Sequence, residues 1–173
     1  GLGGDVTING GIRNTGVIGA QSKDAAATAV HLGSGANVGK ILNLGRIEAI
    51  TDGKTADAVA TAIQIGAGST LTTIENSNLI SAKTGGEAGK AFAIVDASGL
   101  VTTVKNSGSI SATGSTAAGG NVAIDLSAGT AAQTISQTLV ASGVAAPTIV
   151  GDIKFGAGAG TLNIEDGSVK GNV

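Results

Sequence analysis

The sequence predicts an all-β solenoid, a single domain over residues 1–173 wound as about five imperfect coils of roughly 31 residues. Three observations predict it. A nine-position motif recurs four times, a second column of β-branched residues keeps the same interval, and the composition leaves only one kind of core to build.

The motif reads Ile/Val-x-Asn-x-Gly-x-Ile-x-Ala. Its copies are Ile12-Asn14-Gly16-Ile18-Ala20, Ile41-Asn43-Gly45-Ile47-Ala49, Ile74-Asn76-Asn78-Ile80-Ala82 and Val104-Asn106-Gly108-Ile110-Ala112. The asparagines are 29, 33 and 30 residues apart. Alternation with period two is the pattern of a strand with one buried face, so each copy reads as a strand over all nine positions. The glycine two residues after the asparagine fits a bend where a side chain would collide.

The second column is Val30, Ile63, Ile94 and Ile124, each followed five residues later by Gly35, Gly68, Gly99 or Gly129. Two columns with one rhythm give each repeat the form strand, turn, strand, then a longer polar segment. Those segments are 21–27, 50–60, 83–91 and 113–121, and their unequal lengths place the insertions in loops. A fifth copy is degenerate: Ile135, Gln137 and Leu139 keep the alternation, with Gln137 in place of the asparagine. After Pro147 only short Gly-x-Ile/Val fragments remain, at Gly151–Phe155 and Gly167–Gly171, which reads as a change of coil size near residue 145.

Composition limits the core. Two Phe, no Trp, no Tyr and 30 Gly leave Ile, Val, Leu and Ala to be buried, and 42% hydrophobic against 13% charged residues excludes disorder. Stacking coils about 4.8 Å apart sets Ile on Ile and Ala on Ala. An inward asparagine without partners would be destabilising by about 1–3 kcal/mol. Asn14, Asn43, Asn76 and Asn106 are therefore expected to form a structural amide ladder up the stack, as in other stacked parallel strands.

Few residues here carry recognisable chemistry. A net charge of −2 with scattered Lys and Arg and no interleaved aromatics argues against nucleic acid. The apolar run Leu139–Val150 is broken by Ser142, Gly143 and Pro147, so nothing here embeds in a bilayer. With one His and no Cys, zinc sites and His triads have almost no material. His31 is expected in an outward column with Gln64, Val95 and Asp125. A second outward column, Arg13, Leu42, Glu75, Lys105, is expected to hold a Glu75–Lys105 surface ion pair worth at most about 1 kcal/mol.

Asp24 and Asp57 stand 33 residues apart, each six before its column residue, and would stack as a carboxylate pair of the kind β-helical polysaccharide enzymes use. Ala88 and Ala118 end that row at two. The segment Phe155–Leu162 approaches the glycine-rich calcium β-roll repeat, but Gly160 stands where the aspartate ligand belongs. Thr72, Thr73, Thr102 and Thr103 align as an ice-binding array would, interrupted at Ala36–Gly39 and Ala131–Ala132. No cofactor and no metal is expected.

The Asn-x-Gly-x-Ile-x-Ala repeats, the Gly/Ala/Ser/Thr-rich loops and the tail Val150–Phe155 with Thr161–Ile164 together resemble passenger regions of bacterial autotransporters. The resemblance is clearest over 5–130 and 148–171. It implies a right-handed parallel β-helix, secreted or held at the bacterial outer membrane through regions outside this chain. A C-terminal translocator barrel is expected there, since no amphipathic strands with aromatic girdles occur here. No signal peptide is read at Gly1, and the chain reads as a slice of a longer secreted protein. No Gly-x-Ser-x-Gly nucleophile elbow occurs. The expected function is a non-enzymatic stalk or adhesin-type display surface touching host or neighbouring-cell molecules. The alternative is a carbohydrate-active enzyme at the Asp24/Asp57 loops. Self-association through unpaired strand edges is a third expectation.

Overall fold

The computed structural model of the chain describes residues 6–173, and these form parallel strands with no helix among them. A leading strand, β1 (Val6–Ile8), precedes the first coil: β2 (Ile12–Asn14), β3 (Val17–Ser22) and β4 (Ala27–Leu32). After β5 (Ala36–Val38), which pairs with β1, comes the second coil: β6 (Lys40–Asn43), β7 (Arg46–Thr51) and β8 (Val59–Ile65). The third is β9 (Thr73–Asn76), β10 (Leu79–Lys83) and β11 (Lys90–Asp96); the fourth is β12 (Thr103–Asn106), β13 (Ser109–Thr113) and β14 (Asn121–Asp125). The fifth is β15 (Gln133–Gln137), β16 (Thr148–Val150) and β17 (Asp152–Lys154), and β18 (Gly160–Ile164) and β19 (Ser168–Lys170) begin a sixth.

Successive coils stack into three sheets. The first is β2-β6-β9-β12-β15-β18, the second β3-β7-β10-β13-β16-β19, and the third β4-β8-β11-β14-β17. The chain is thus a three-faced parallel β-helix. Like meets like inside it. The first face stacks Ile12, Ile41, Ile74, Val104, Ile135 and Leu162; the second stacks Ile18, Ile47, Ile80, Ile110, Ile149 and Val169. Most of these side chains are fully buried, each contributing about 1.5–3 kcal/mol relative to exposure. Where the second face meets the third, Ala49, Ala82 and Ala112 pack against Ala60 and Ala91 as a separate small cluster.

The nine-position motif is two strands, not one. Its first half ends at the asparagine, the chain turns over the next two residues, and its second half lies on the second face. The alternation survives because the inward asparagine occupies the corner itself. The third strand also departs from simple alternation. Thr61 and Ile63 pair with Thr28 and Val30 on one side and with Phe92 and Ile94 on the other, with one residue between them on every strand. Ala62 and Ile63 are both buried; the register slips only against β17, where Val122 and Ile124 face the consecutive residues Asp152 and Ile153.

Polar segments between the second and third faces also stack. Gly85 N donates to Gly53 O at 3.2 Å, Ala88 N to Lys54 O at 2.9 Å, and Ala117 N to Glu87 O at 3.1 Å. Glu87 sits in the left-handed region, φ 52°, turning its carbonyl toward the next loop. This ridge stops at the fifth coil, where Gly151 alone joins β16 to β17. The long connection moves to residues 138–147 between β15 and β16, the other side of the second face.

The turn glycine has a measurable role. A Cβ at Gly108 would lie 2.2 Å from Asn78 O, whereas one at Gly16 would meet nothing within 4 Å. Asn78 fills the equivalent place in the third coil and sends its Nδ2 back to Leu44 O at 3.3 Å. Gly108→Ala is expected to destabilise by about 1–3 kcal/mol through steric displacement, and Gly16→Ala by under about 0.5 kcal/mol. Urea unfolding of the two variants checks this, and equal effects would contradict it.

Candidate functional site

One row of buried polar groups lies at the first corner. Asn14 Nδ2 donates to Asn43 Oδ1 at 2.8 Å, Asn43 Nδ2 to Asn76 Oδ1 at 2.8 Å, and Asn76 Nδ2 to Asn106 Oδ1 at 2.9 Å. Gln137 extends the series, its Oε1 accepting from Asn106 Nδ2 at 3.1 Å. Each amide also ties down the turn above it: Asn14, Asn43, Asn76 and Asn106 donate to the carbonyls of Arg46, Leu79, Ser109 and Thr148 at 2.9–3.1 Å. Asn14 Oδ1 accepts from its own turn at Gly16 N, 3.1 Å. Gln137 Nε2 ends the series on Ser168 O at 3.0 Å. All donors point one way along the axis. Every amide of the series is bonded to other groups of the chain.

A second polar group lies inside. Asp96 follows Leu32 and Ile65 in an apolar column and is 2% exposed. Its Oδ1 accepts from Ser98 N at 2.9 Å, Ser98 Oγ at 2.6 Å and Gly99 N at 3.2 Å, and its Oδ2 from Val101 N at 2.9 Å. It closes the turn between third and first faces. Among the described residues no buried side-chain polar atom lacks a partner.

The loops that carry the expected carboxylate pair differ in length. Four residues (23–26) separate β3 from β4, whereas seven (52–58) separate β7 from β8. The Asp24 backbone lies against Gly53, within 3.1 Å of where a Cβ there would stand, and both Asp24 and Asp57 are exposed. Among the described residues no three His, Cys, Asp or Glu side chains group closely enough to hold a metal. Around Phe155–Leu162 the glycines permit close stacking on the coil below: Gly156 N donates to Gln133 Oε1 at 2.8 Å.

The outward columns hold the register read from the sequence. His31 is opposite Gln64, then Val95, Asp125 and Lys154 follow. Burial disfavours the charge on Asp125, but hydrogen bonds from Ser127 Oγ (2.6 Å) and N (3.1 Å), with the Lys154 ammonium at 3.3 Å, outweigh it. The Asp125 carboxyl is held below its ordinary value.

On the first face, Arg13, Leu42, Glu75 and Lys105 form one column as expected. The ion pair does not form where expected. Glu75 Oε2 meets Lys40 Nζ at 3.4 Å, one column over, and among the described residues neither Lys105 nor Arg13 has a carboxylate partner. The threonine array also differs. Thr73 and Thr103 continue through Thr134 and Thr161, so one column crosses four coils. Ala131 and Ala132 do not interrupt it, because they precede the strand, outside its register. A trough of about 550 Å³ lies over this face, lined by Asn9, Gly11, Lys40, Thr73, Thr103 and Lys105, with Glu75 on its floor.

No family model, no curated protein and no solved structure matches the chain.

Asn76→Ala removes the amide that both donates to Asn106 and accepts from Asn43, so destabilisation of about 2–4 kcal/mol is expected in urea. Asn14→Ala, at the end of the ladder, is expected to lose about half as much. A loss below about 1 kcal/mol for Asn76→Ala would deny the ladder its energetic role. For Asp125, a folded-state pKa below the unfolded one gives stability that is fully present above about pH 3.9 and lost as pH falls through the folded value. Thermal melts in acid should fall less steeply for Asp125→Asn than for the parent, with the curves parallel near neutrality.

Proposed function

We propose that this chain is a non-enzymatic segment of a secreted or cell-surface β-helical passenger of the autotransporter type, acting as a rigid stalk and display surface. The observation that carries this reading is the unbroken amide ladder from Asn14 to Gln137, with every buried side-chain polar atom among the described residues satisfied. A module built on one continuous core and one continuous hydrogen-bonded corner resists local opening, which suits a spacer that holds other parts at a distance. Its repeats and loops resemble such passengers, and the stacked loop ridge offers positions where sequence varies without disturbing the core.

A carbohydrate-active site at Asp24/Asp57 is the weaker reading. Both carboxylates are exposed, their loops differ in length, and neither loop contains an aromatic residue on which a sugar ring could stack.

Antibody labelling of intact bacteria expressing the full-length gene is expected to detect the segment without permeabilisation. Detection only after lysis would refute the surface assignment. Incubation with a panel of plant and bacterial polysaccharides is expected to give no turnover; cleavage that disappears in Asp57→Ala would replace this reading with the enzymatic one.

A further inference from the structure

We propose that the first face is a binding surface for a linear anionic glycan, carboxylated or sulfated, lying along the helix axis. This deepens the display-surface reading and rests on it.

The net charge of the chain is −2, yet the outward surface of the first face carries Arg13, Lys40 and Lys105 against a single acid, Glu75. Glu75 engages Lys40 at 3.4 Å. Arg13 and Lys105 are exposed and, among the described residues, pair with no carboxylate. Elsewhere Arg46 lies on Glu48 at 2.8 Å, Lys54 on Glu87 at 3.5 Å and Lys154 on Asp125 at 3.3 Å, while Lys23, Lys83, Lys90 and Lys170 also have no carboxylate partner among the described residues.

Spacing decides the shape of the ligand. Arg13 lies on the first coil, Lys40 on the second and Lys105 on the fourth. With coils about 4.8 Å apart, the cations span about 14 Å along the axis at intervals of about 5 and 10 Å. A compact anion cannot reach them all, whereas an extended chain with recurring negative groups can. Between and beyond the cations the face offers hydroxyls and amides: Thr73, Thr103, Thr134 and Thr161 in one column, with Ser136 and Asn163 following Lys105 in the next. Such groups donate and accept toward sugar hydroxyls. Leu42, half-buried between Arg13 and Glu75, supplies the apolar patch on which a ring can rest. The trough over Lys40, Thr73, Thr103 and Lys105 gives the surface depth.

Glu75 allows the surface to be tested in both directions. It neutralises Lys40 and lies under the path of the ligand, so it opposes anion binding.

The test is equilibrium binding of the 173-residue chain to chondroitin sulfate, polygalacturonate, neutral dextran and duplex DNA, with circular dichroism confirming each variant's fold. Chondroitin sulfate, polygalacturonate or both are expected to bind, and which of them binds identifies the anionic group. Dextran is expected not to bind. Lys105→Gln should weaken binding about two- to fivefold and Arg13→Gln similarly, the range of an exposed charge contact. Glu75→Gln should strengthen it about twofold or more, a change that a merely structural residue would not produce. Affinity should fall by up to about tenfold between roughly 50 and 200 mM salt if the two unpaired cations release counterions. Binding of neither anionic glycan, dextran binding as tightly as they do, or an unchanged or weakened Glu75→Gln would overturn the inference. So would duplex DNA binding more tightly than either glycan, since the face would then be a general polyanion patch. Glycan failure alone leaves the stalk reading standing, because that reading falls on the labelling of intact cells and not on binding.

Discussion

Register between coils is the constraint on which everything else in this molecule depends. A parallel strand displaced by one residue turns every side chain to the other face, and in a stack that error would bury Arg13, Glu75 and Lys105 and expose the isoleucines. The amides at the first corner prevent it. Each binds the amide on the next coil and also a carbonyl in the next turn, at 2.8–3.1 Å. A shifted coil would forfeit both contacts and leave buried donors unpaired. Apolar columns alone tolerate exchange among Ile, Val and Leu, so they supply stability with little positional information. The ladder supplies the position.

The same constraint explains how the surface is organised. Because register is fixed, outward residues form straight columns, and a column is the smallest unit of recognition available to the protein. The threonine column of four coils and the Arg13–Lys105 column are products of that rule. The loops escape it in part. The ridge formed by residues 52–58, 84–89 and 114–120 stacks through backbone bonds, with Thr84 Oγ1 buried against Gly53 O and its other side chains mostly exposed. The ridge therefore varies in composition, and it ends where Gly151 reduces the connection to a single residue. The chain compensates with residues 138–147, whose Leu139 and Val144 stand 74% and 57% exposed.

Most of the first two faces is legible in the sequence. A spacing of 29–33 residues between asparagines matches one turn of a solenoid. The strand-like alternation of the motif, however, gives no sign that the chain bends in its middle. An inward residue at a corner and an inward residue in a flat strand have the same periodicity, and only the hydrogen bonds from Asn43 to Leu79 O and Asn76 Oδ1 distinguish them. The third face is harder to read for a different reason. It places two adjacent residues, Ala62 and Ile63, inside, which breaks the period that reveals a strand. Asp96 is masked by its neighbours: a carboxylate in an apolar column looks like an exception until the turn at 98–101 closes over it.

Composition and the repeat by themselves determined the architecture, because a chain with almost no aromatics and a regular return of Ile, Asn and Ala can bury its apolar groups only by stacking. They also determined the ladder, since an inward amide repeated at coil spacing finds its partners only in the coils above and below. What tertiary structure alone decided were the contacts that depend on loop length and side-chain direction. Asp24 and Asp57 are equally spaced from their columns, yet the loops that carry them differ by three residues and the Asp24 backbone lies against Gly53. Glu75 faces Lys105 in register yet reaches Lys40, because a long side chain selects the best partner among several columns. A period fixes where a backbone returns; it does not fix where a flexible side chain goes from there.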